Sequence, residues 1–137
     1  MPRILSIDYG SKRTGLAVTD PLQIIAAGLA GIHTKDLENF LGEYFKKEHV
    51  EKVIIGHPTN WNDSDTHATP LVHAFINRFK KVFPNMPIIK VDERFTSKLA
   101  VQSMIESGMK KKNRQNKQLV DEIAATIMLQ QYLDSIS

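Results

Sequence analysis

Residues 4–20 read Ile4-Leu5-Ser6-Ile7-Asp8-Tyr9-Gly10-Ser11-Lys12-Arg13-Thr14-Gly15-Leu16-Ala17-Val18-Thr19-Asp20, a pattern of strand, tight turn and strand with one carboxylate at the bend. Side chains alternate along a strand, so Ile4, Ser6 and Asp8 share one face and Leu5 and Ile7 the other. Asp8 therefore stands where the first strand leaves the core. Gly10 and Gly15 frame Ser11-Lys12-Arg13-Thr14, and glycines around a polar basic turn permit positive φ and close approach of a phosphate to the backbone. Two readings follow. The acid and the basic hairpin together hold metal and phosphate, or the acid simply pairs with Lys12 or Arg13.

Outward from this hairpin, Asp20-Pro21 ends the second strand, and the apolar, glycine-punctuated run Ile24 to Ile32 predicts a third, making an antiparallel meander. Thr34 is an N-cap candidate for a helix carrying Leu37, Phe40, Leu41, Tyr44 and Phe45 at helical spacing. Lys52-Val53-Ile54-Ile55-Gly56 is apolar on successive residues, which predicts a central strand buried on both faces. A long polar loop follows His57-Pro58 and runs to Thr69. Val72, Phe75, Ile76, Phe79 and Phe83 predict a second helix, and Pro87 to Asp92 a fifth strand. A third helix is expected from Thr96 or Ser97 to Gly108, then a basic loop over 109–117. A last helix from about Gln118 to Leu133 should turn Val120, Ile123, Ala124, Ile127 and Met128 inward.

The order β-β-β-α-β-α-β-α-α is that of an α/β chain whose first, fourth and fifth strands run parallel through right-handed crossovers. Ligands bind at the carboxyl edge of such strands, and that edge carries Asp8, Gly56-His57-Pro58 and Asp92-Glu93-Arg94. Asp121 joins them from the last helix, on one face with Ala124, Ala125 and Met128. Taken alone, Asp121 is also explained as an acid in a first helical turn that favours the helix dipole. Carboxylates gathered from distant parts of the chain repel unless cations neutralise them. A divalent ion removes that conflict, and magnesium and manganese favour carboxylate and water oxygens. Two such ions can activate a water and stabilise the leaving oxygen of a phosphodiester, which is nuclease chemistry.

Composition narrows the classes. The 137 residues suit one domain, and 42% hydrophobic with 24% charged residues argues against disorder and against a membrane protein. With no cysteine, disulfides, thiolate nucleophiles and cysteine-ligated metal centres are excluded. No apolar leader core or bilayer-length run is evident, and a cytoplasmic location is expected. The net charge of +3 is unevenly spread: residues 98–118 hold six basic residues (Lys98, Lys110, Lys111, Lys112, Arg114 and Lys117) against Glu106 alone. A basic stripe on a faintly acidic body suits a polyanion, although a solvated charge run has the same composition.

Four segments in order, Asp8-Tyr9-Gly10-Ser11-Lys12-Arg13-Thr14-Gly15, Gly56-x-Pro58, Asp92-Glu93-Arg94-Phe95-Thr96 and Asn116-Lys117-x-x-x-Asp121-x-x-Ala124-Ala125, resemble the YqgF family. This is the pre-16S rRNA nuclease group, also described as Holliday-junction-resolvase-like. The resemblance spans Arg3 to Leu133. It implies a ribonuclease-H-like three-layer α/β fold with a mixed five-stranded sheet in the order 3-2-1-4-5, residues 1–137 forming a single nuclease domain. It implies that Asp8, Glu93 and Asp121 are the catalytic and metal-binding triad for Mg2+ or Mn2+, with Asp92 able to substitute for Glu93. Lys12, Arg13, Arg94 and Lys117 would then meet phosphates, with Lys110, Lys111, Lys112 and Arg114 extending the nucleic-acid-binding surface. The chain departs from the family at His57, where an apolar residue is usual, and near Asp63, where a glycine is usual. Asp63, Asp65, His57 or His67 would be replacement ligands or merely a solvated loop, and Trp61 a base-stacking or an anchoring residue.

The function implied is a metal-dependent endonuclease maturing the 5′ end of pre-16S rRNA in ribosome biogenesis. A Holliday-junction resolvase acting on DNA is the alternative, as is a noncatalytic RNA-binding assembly factor. A phosphotransferase of the actin and hexokinase type fits the hairpin but not the size, since such enzymes clamp nucleotide between two domains. The expected partner is nucleic acid, precursor rRNA or structured DNA, with no membrane.

Overall fold

A computed structural model of the chain describes residues 2–57, 69–92 and 117–136. Five strands, β1 (Arg3–Tyr9), β2 (Arg13–Thr19), β3 (Ala26–His33), β4 (Val50–His57) and β5 (Ile88–Asp92), form one sheet in the order β3-β2-β1-β4-β5. The first three pair antiparallel, and β1, β4 and β5 run parallel. The expected meander and the expected parallel half are both present. Helices α1 (Leu37–Lys47), α2 (Thr69–Val82) and α3 (Lys117–Ile136) complete the described elements. The expected helix over 96–108 and the basic loop over 109–117 lie outside the described residues, apart from Lys117 at the head of α3.

Strand alternation divides the core in two. Leu5, Ile7 and Leu16 turn to one face and pack with Val53, Ile55, Leu37 and Leu41 of α1, and Val72, Ile76 and Phe79 of α2. Ile4, Ala17 and Ile54 turn to the other and pack with Ala125, Leu129 and Leu133 of α3. The sheet thus lies between two helical layers, and β4 is buried on both faces from Val53 to Gly56. On α3 the fully buried positions are Ala124, Ala125, Met128 and Leu129. Val120, Ile123 and Ile127, expected inward, are only half-buried, because the alanine pair rather than the bulkier stripe lies against the sheet.

A row of register partners crosses the antiparallel half: Asp8 lies opposite Gly15, and Gly15 opposite Gly31. The first turns of α3 cross this row. A Cβ on Gly15 would overlap the Asp121 carbonyl, and one on Gly31 would overlap the carbonyl of Gln118. Neither glycine has a positive φ, which corrects the reading of Gly15 as a conformational or phosphate-approach residue. Its missing side chain admits the helix. The buried Ser6 hydroxyl donates to the Ala125 carbonyl at 2.7 Å, tying α3 to β1 one turn further on.

Two local expectations change. Thr34 does not cap α1: residues Thr34–Asp36 form a short 3-10 turn, and Asp36 stands at the N-cap without a side-chain bond. The third strand starts at Ala26 rather than Ile24, because the Asp20 carboxylate accepts the N–H groups of Leu22 (3.0 Å), Ile24 (2.8 Å) and Ile25 (2.8 Å), folding that run into a turn. These bonds, that from Ile25 foremost, hold the Asp20 carboxyl below its ordinary pKa. Gln23 closes the turn at φ 59°, and its side-chain amide reaches the Pro2 carbonyl and the Glu51 carboxylate.

Gly15→Ala is expected to destabilise the protein by at least about 1–3 kcal/mol, the usual overpacking cost, since helix backbone rather than a flexible side chain must move. Gly42→Ala, inside α1 with no atom within 4 Å of the added methyl, should instead stabilise by about 0.5–1 kcal/mol. Urea unfolding of the two variants beside wild type measures both.

Candidate active site

The site starts from the last two residues of β1. Tyr9 stacks its ring on Phe75 of α2 at 4.7 Å between centroids, so Asp8, one residue back, belongs to the opposite face, with Ser6 and α3. The glycine row beside Asp8 lets the α3 backbone down onto the sheet, and Asp121 arrives with it. Asp8, Asp121 and hairpin residues 9–13 line one open cavity of about 310 Å³. Asp121 is the fifth residue of α3, and the first turn contains no acid, so the helix-dipole account of Asp121 falls away. Among the described residues it pairs with Arg13, whose Nε donates to Asp121 Oδ2 at 2.9 Å. With 38% of the arginine and 22% of the aspartate side chain exposed, the pair is worth no more than about 1 kcal/mol. Its effect is positional.

The hairpin is held from outside. Thr34 Oγ1 donates to the Gly10 carbonyl at 2.6 Å and lies 2.8 Å from the hydroxyl of buried Thr14, while the Thr34 N–H donates to the Lys12 carbonyl at 3.0 Å. A Cβ on Gly10 would overlap the Arg13 carbonyl, so the turn closes too tightly there for a side chain. Lys12 is left exposed at the tip, on the rim of the cavity.

The structure therefore brings together Asp8, Asp121, Lys12 and Arg13 from the expected set. Glu93, Arg94, Lys110, Lys111, Lys112 and Arg114 lie outside the described residues, as do Trp61, Asp63, Asp65 and His67. Asp92 ends β5 and His57 ends β4, at the edge that also holds Asp8, and Lys117 opens α3; their side chains are not among those described. Among the described residues no group of three or more metal-capable side chains forms, and the cavity offers two carboxylates. Carboxylate oxygens in a polar, open site are donors of the kind magnesium and manganese take. The sequence did not single out Thr14, Thr34 and Ser6 as supports of this site. Ser6, two residues before Asp8 on the same strand face, is the one whose alternation pointed to it.

A family model described as RuvX, Holliday junction resolvase, matches residues 2–135. A Flavobacterium johnsoniae protein named "Putative pre-16S rRNA nuclease" is 58% identical over 135 residues, covering 98% of each chain. A Flavobacterium psychrophilum protein of the same name is 59% identical over 133 residues, covering 97% of each. Among solved structures, Thermus thermophilus RuvC in complex with a Holliday junction superposes with a TM-score of 0.56 at 16% identity, over 99% of this chain and 96% of that one. At that identity the likeness is one of fold, the ribonuclease-H-like α/β architecture.

Thr34→Val keeps the shape of the clamp but deprives the Gly10 carbonyl and the Thr14 hydroxyl of their partner. A loss of about 1–3 kcal/mol is expected in urea unfolding. Amide hydrogen exchange should accelerate at residues 10–13 and not in α1.

Proposed function

The chain belongs to the RuvX family, and from that membership and the paired acids of the Asp8 cavity we propose that it is a divalent-metal-dependent endonuclease hydrolysing phosphodiester bonds, with the 5′ end of precursor 16S rRNA as substrate. The observation that carries this reading is the convergence of Asp8 and Asp121, from opposite ends of the chain, on one cavity rimmed by Lys12 and Arg13. The names of the relatives give the substrate class.

Asp8 and Asp121, with Glu93 as third acid, would hold Mg2+ or Mn2+ through carboxylate oxygens. When bound, the ion supplies Lewis-acid stabilisation of phosphoryl oxygens and a water of lowered pKa. The remaining work belongs to the chain. Lys12 attracts a phosphate to the rim of the cavity. Arg13 holds the Asp121 carboxylate at the cavity wall, and its planar fork matches a phosphate as well as a carboxylate, so it can exchange one for the other as substrate enters. Arg94, Lys117 and the basic run Lys110, Lys111, Lys112 and Arg114 would contact the flanking backbone, which makes affinity fall with salt. The family description, Holliday junction resolvase, favours a second reading in which the same chemistry cuts a DNA junction.

Cleavage of a labelled precursor-rRNA fragment and a four-way DNA junction, side by side with Mg2+ or Mn2+, tests both readings. Asp8→Asn and Asp121→Asn, purified in parallel and checked for folding, are expected to lose at least about 100-fold in rate, beyond the loss that outer-shell changes cause at metal sites. Cutting of RNA alone supports the rRNA reading, cutting of the junction alone supports the second, and equal cutting by wild type and variants removes both. Arg13→Gln should tighten Mn2+ binding in titration calorimetry by up to about fivefold, the equivalent of the part-exposed ion pair that no longer competes for Asp121.

A further inference from the structure

The peptide between Gly10 and Ser11 is held on one side and open on the other. Thr14 shares a strand face with Leu16, which packs with α1 and α2, so the Thr14 hydroxyl lies on that side of the sheet. Thr34 Oγ1 stands 2.8 Å from it and donates to the Gly10 carbonyl at 2.6 Å. The carbonyl is thereby drawn toward the α1 side. Among the described residues every peptide bond is trans, and in a trans peptide the carbonyl and the following N–H point in opposite directions. The Ser11 N–H is therefore turned to the other side, where Arg13 meets Asp121 and α3 crosses the glycine row.

Among the described residues neither the Ser11 N–H nor its hydroxyl has a hydrogen-bond partner, and the Lys12 ammonium makes no ion pair. Both residues are exposed and line the cavity with Asp8, Arg13 and Asp121. Thr34 does not line it. The carbonyls of Gly10 and Lys12, which would oppose an anion, are taken by the Thr34 hydroxyl and the Thr34 N–H. An oriented turn amide freed of opposing carbonyls is an anion donor.

We propose that the Gly10–Ser11 peptide is a phosphate subsite of the Asp8 cavity, in which the Ser11 N–H donates to a phosphate oxygen of the nucleic-acid backbone and Thr34 is the positioning residue that holds the N–H at that angle. The inference rests on the nucleic-acid reading for its ligand and on none of the metal chemistry. The contact falls on the phosphodiester, which RNA and DNA share. Lys12, on a long flexible stem, supplies attraction without direction. The peptide supplies direction, because a donor already fixed loses little freedom when the phosphate arrives.

The test is titration of the metal-free full-length chain with a short single-stranded RNA, and with DNA of the same sequence, followed by amide NMR and by affinity at several salt concentrations. The Ser11 amide proton is expected to move downfield as the strand binds. A shift with either nucleic acid supports the subsite and names its source. Thr34→Val should weaken binding on the order of tenfold, as for one charge-assisted hydrogen bond, and leave the salt slope unchanged. Thr34→Ser keeps the hydroxyl and should restore affinity. Lys12→Gln should instead flatten the slope by about 0.7, the value for one phosphate charge on a single strand. A Ser11 amide that stays unmoved while the strand binds overturns the proposal, and so does a chain that binds neither strand. A Thr34→Val slope that flattens like that of Lys12→Gln also overturns it, because Thr34 then acts through the lysine. Should Thr34→Val fail to fold, the Ser11 shift in wild type and in Thr34→Ser decides alone. Cleavage enters no arm: a chain that binds through Ser11 and cuts nothing keeps this subsite and loses the nuclease reading, and a chain that cuts with Ser11 unmoved does the reverse.

Discussion

Among the described residues, the tightest packing is that of the α3 backbone on the glycine row of β2 and β3. Packed elements usually meet through side chains, at helix distances set by those side chains. Here Gly15 and Gly31 remove the spacer on two neighbouring strands at the same register, and the carbonyls of Asp121 and Gln118 occupy the space. The helix is thereby fixed in height and in rotation at its first turns. Asp8 is the next member of the same row, so the contact that seats the helix also decides which of its residues stands beside Asp8. Ser6 and the alanines at 124 and 125 repeat the close approach one turn on. Any residue with a Cβ at position 15 would lift Asp121 away from the strand end.

That geometry gathers two acids, and the hairpin answers their charge. Arg13 leads out of the turn that Gly10 tightens and Thr34 clamps, and its guanidinium meets Asp121 at 2.9 Å. Carboxylates brought together at a strand edge repel one another unless a cation stands beside them. Arg13 supplies it for Asp121 from within the chain, in a form that water or a stronger ligand can displace because both groups are partly exposed. Stability contributed by such a pair is small. What it provides is orientation, with the Asp121 carboxylate held at the cavity wall.

Much of this was legible in the sequence, for identifiable reasons. Alternation along β1 assigned Ser6 and Asp8 to one face because a period of two leaves no freedom once the core face is known. The sheet order followed from the family resemblance, and the parallel strands from the alternation of strand and helix, which demands right-handed crossovers. The convergence of Asp8 and Asp121 was readable because strand ends of parallel sheets share an edge and the alanine pair marked a closely packed helix. What escaped depended on contacts between distant residues. Gly15 read as a turn glycine because nothing local says that a helix from the far end of the chain covers it. Thr34 read as an N-cap because its bond to Gly10 joins the residue after β3 to a hairpin 24 residues earlier. Asp20 read as a strand breaker, and only the folded structure shows its carboxylate gathering three amides and turning apolar residues outward.

Reaction chemistry and substrate choice rest on different features. On the proposed reading the acids and basic rim would act on the phosphodiester itself, which RNA and DNA share, so the chemistry of the Asp8 cavity would not prefer either. Discrimination between them rests on contacts to the 2′-hydroxyl or on recognition of shape. Symmetry is one such shape. A four-way junction offers two equivalent strands and is matched by two sites related by a two-fold axis, whereas a precursor end offers one bond. Thr34 directly follows β3 and clamps the hairpin of Lys12 and Arg13, so the edge strand and the wall of the Asp8 cavity are mechanically joined.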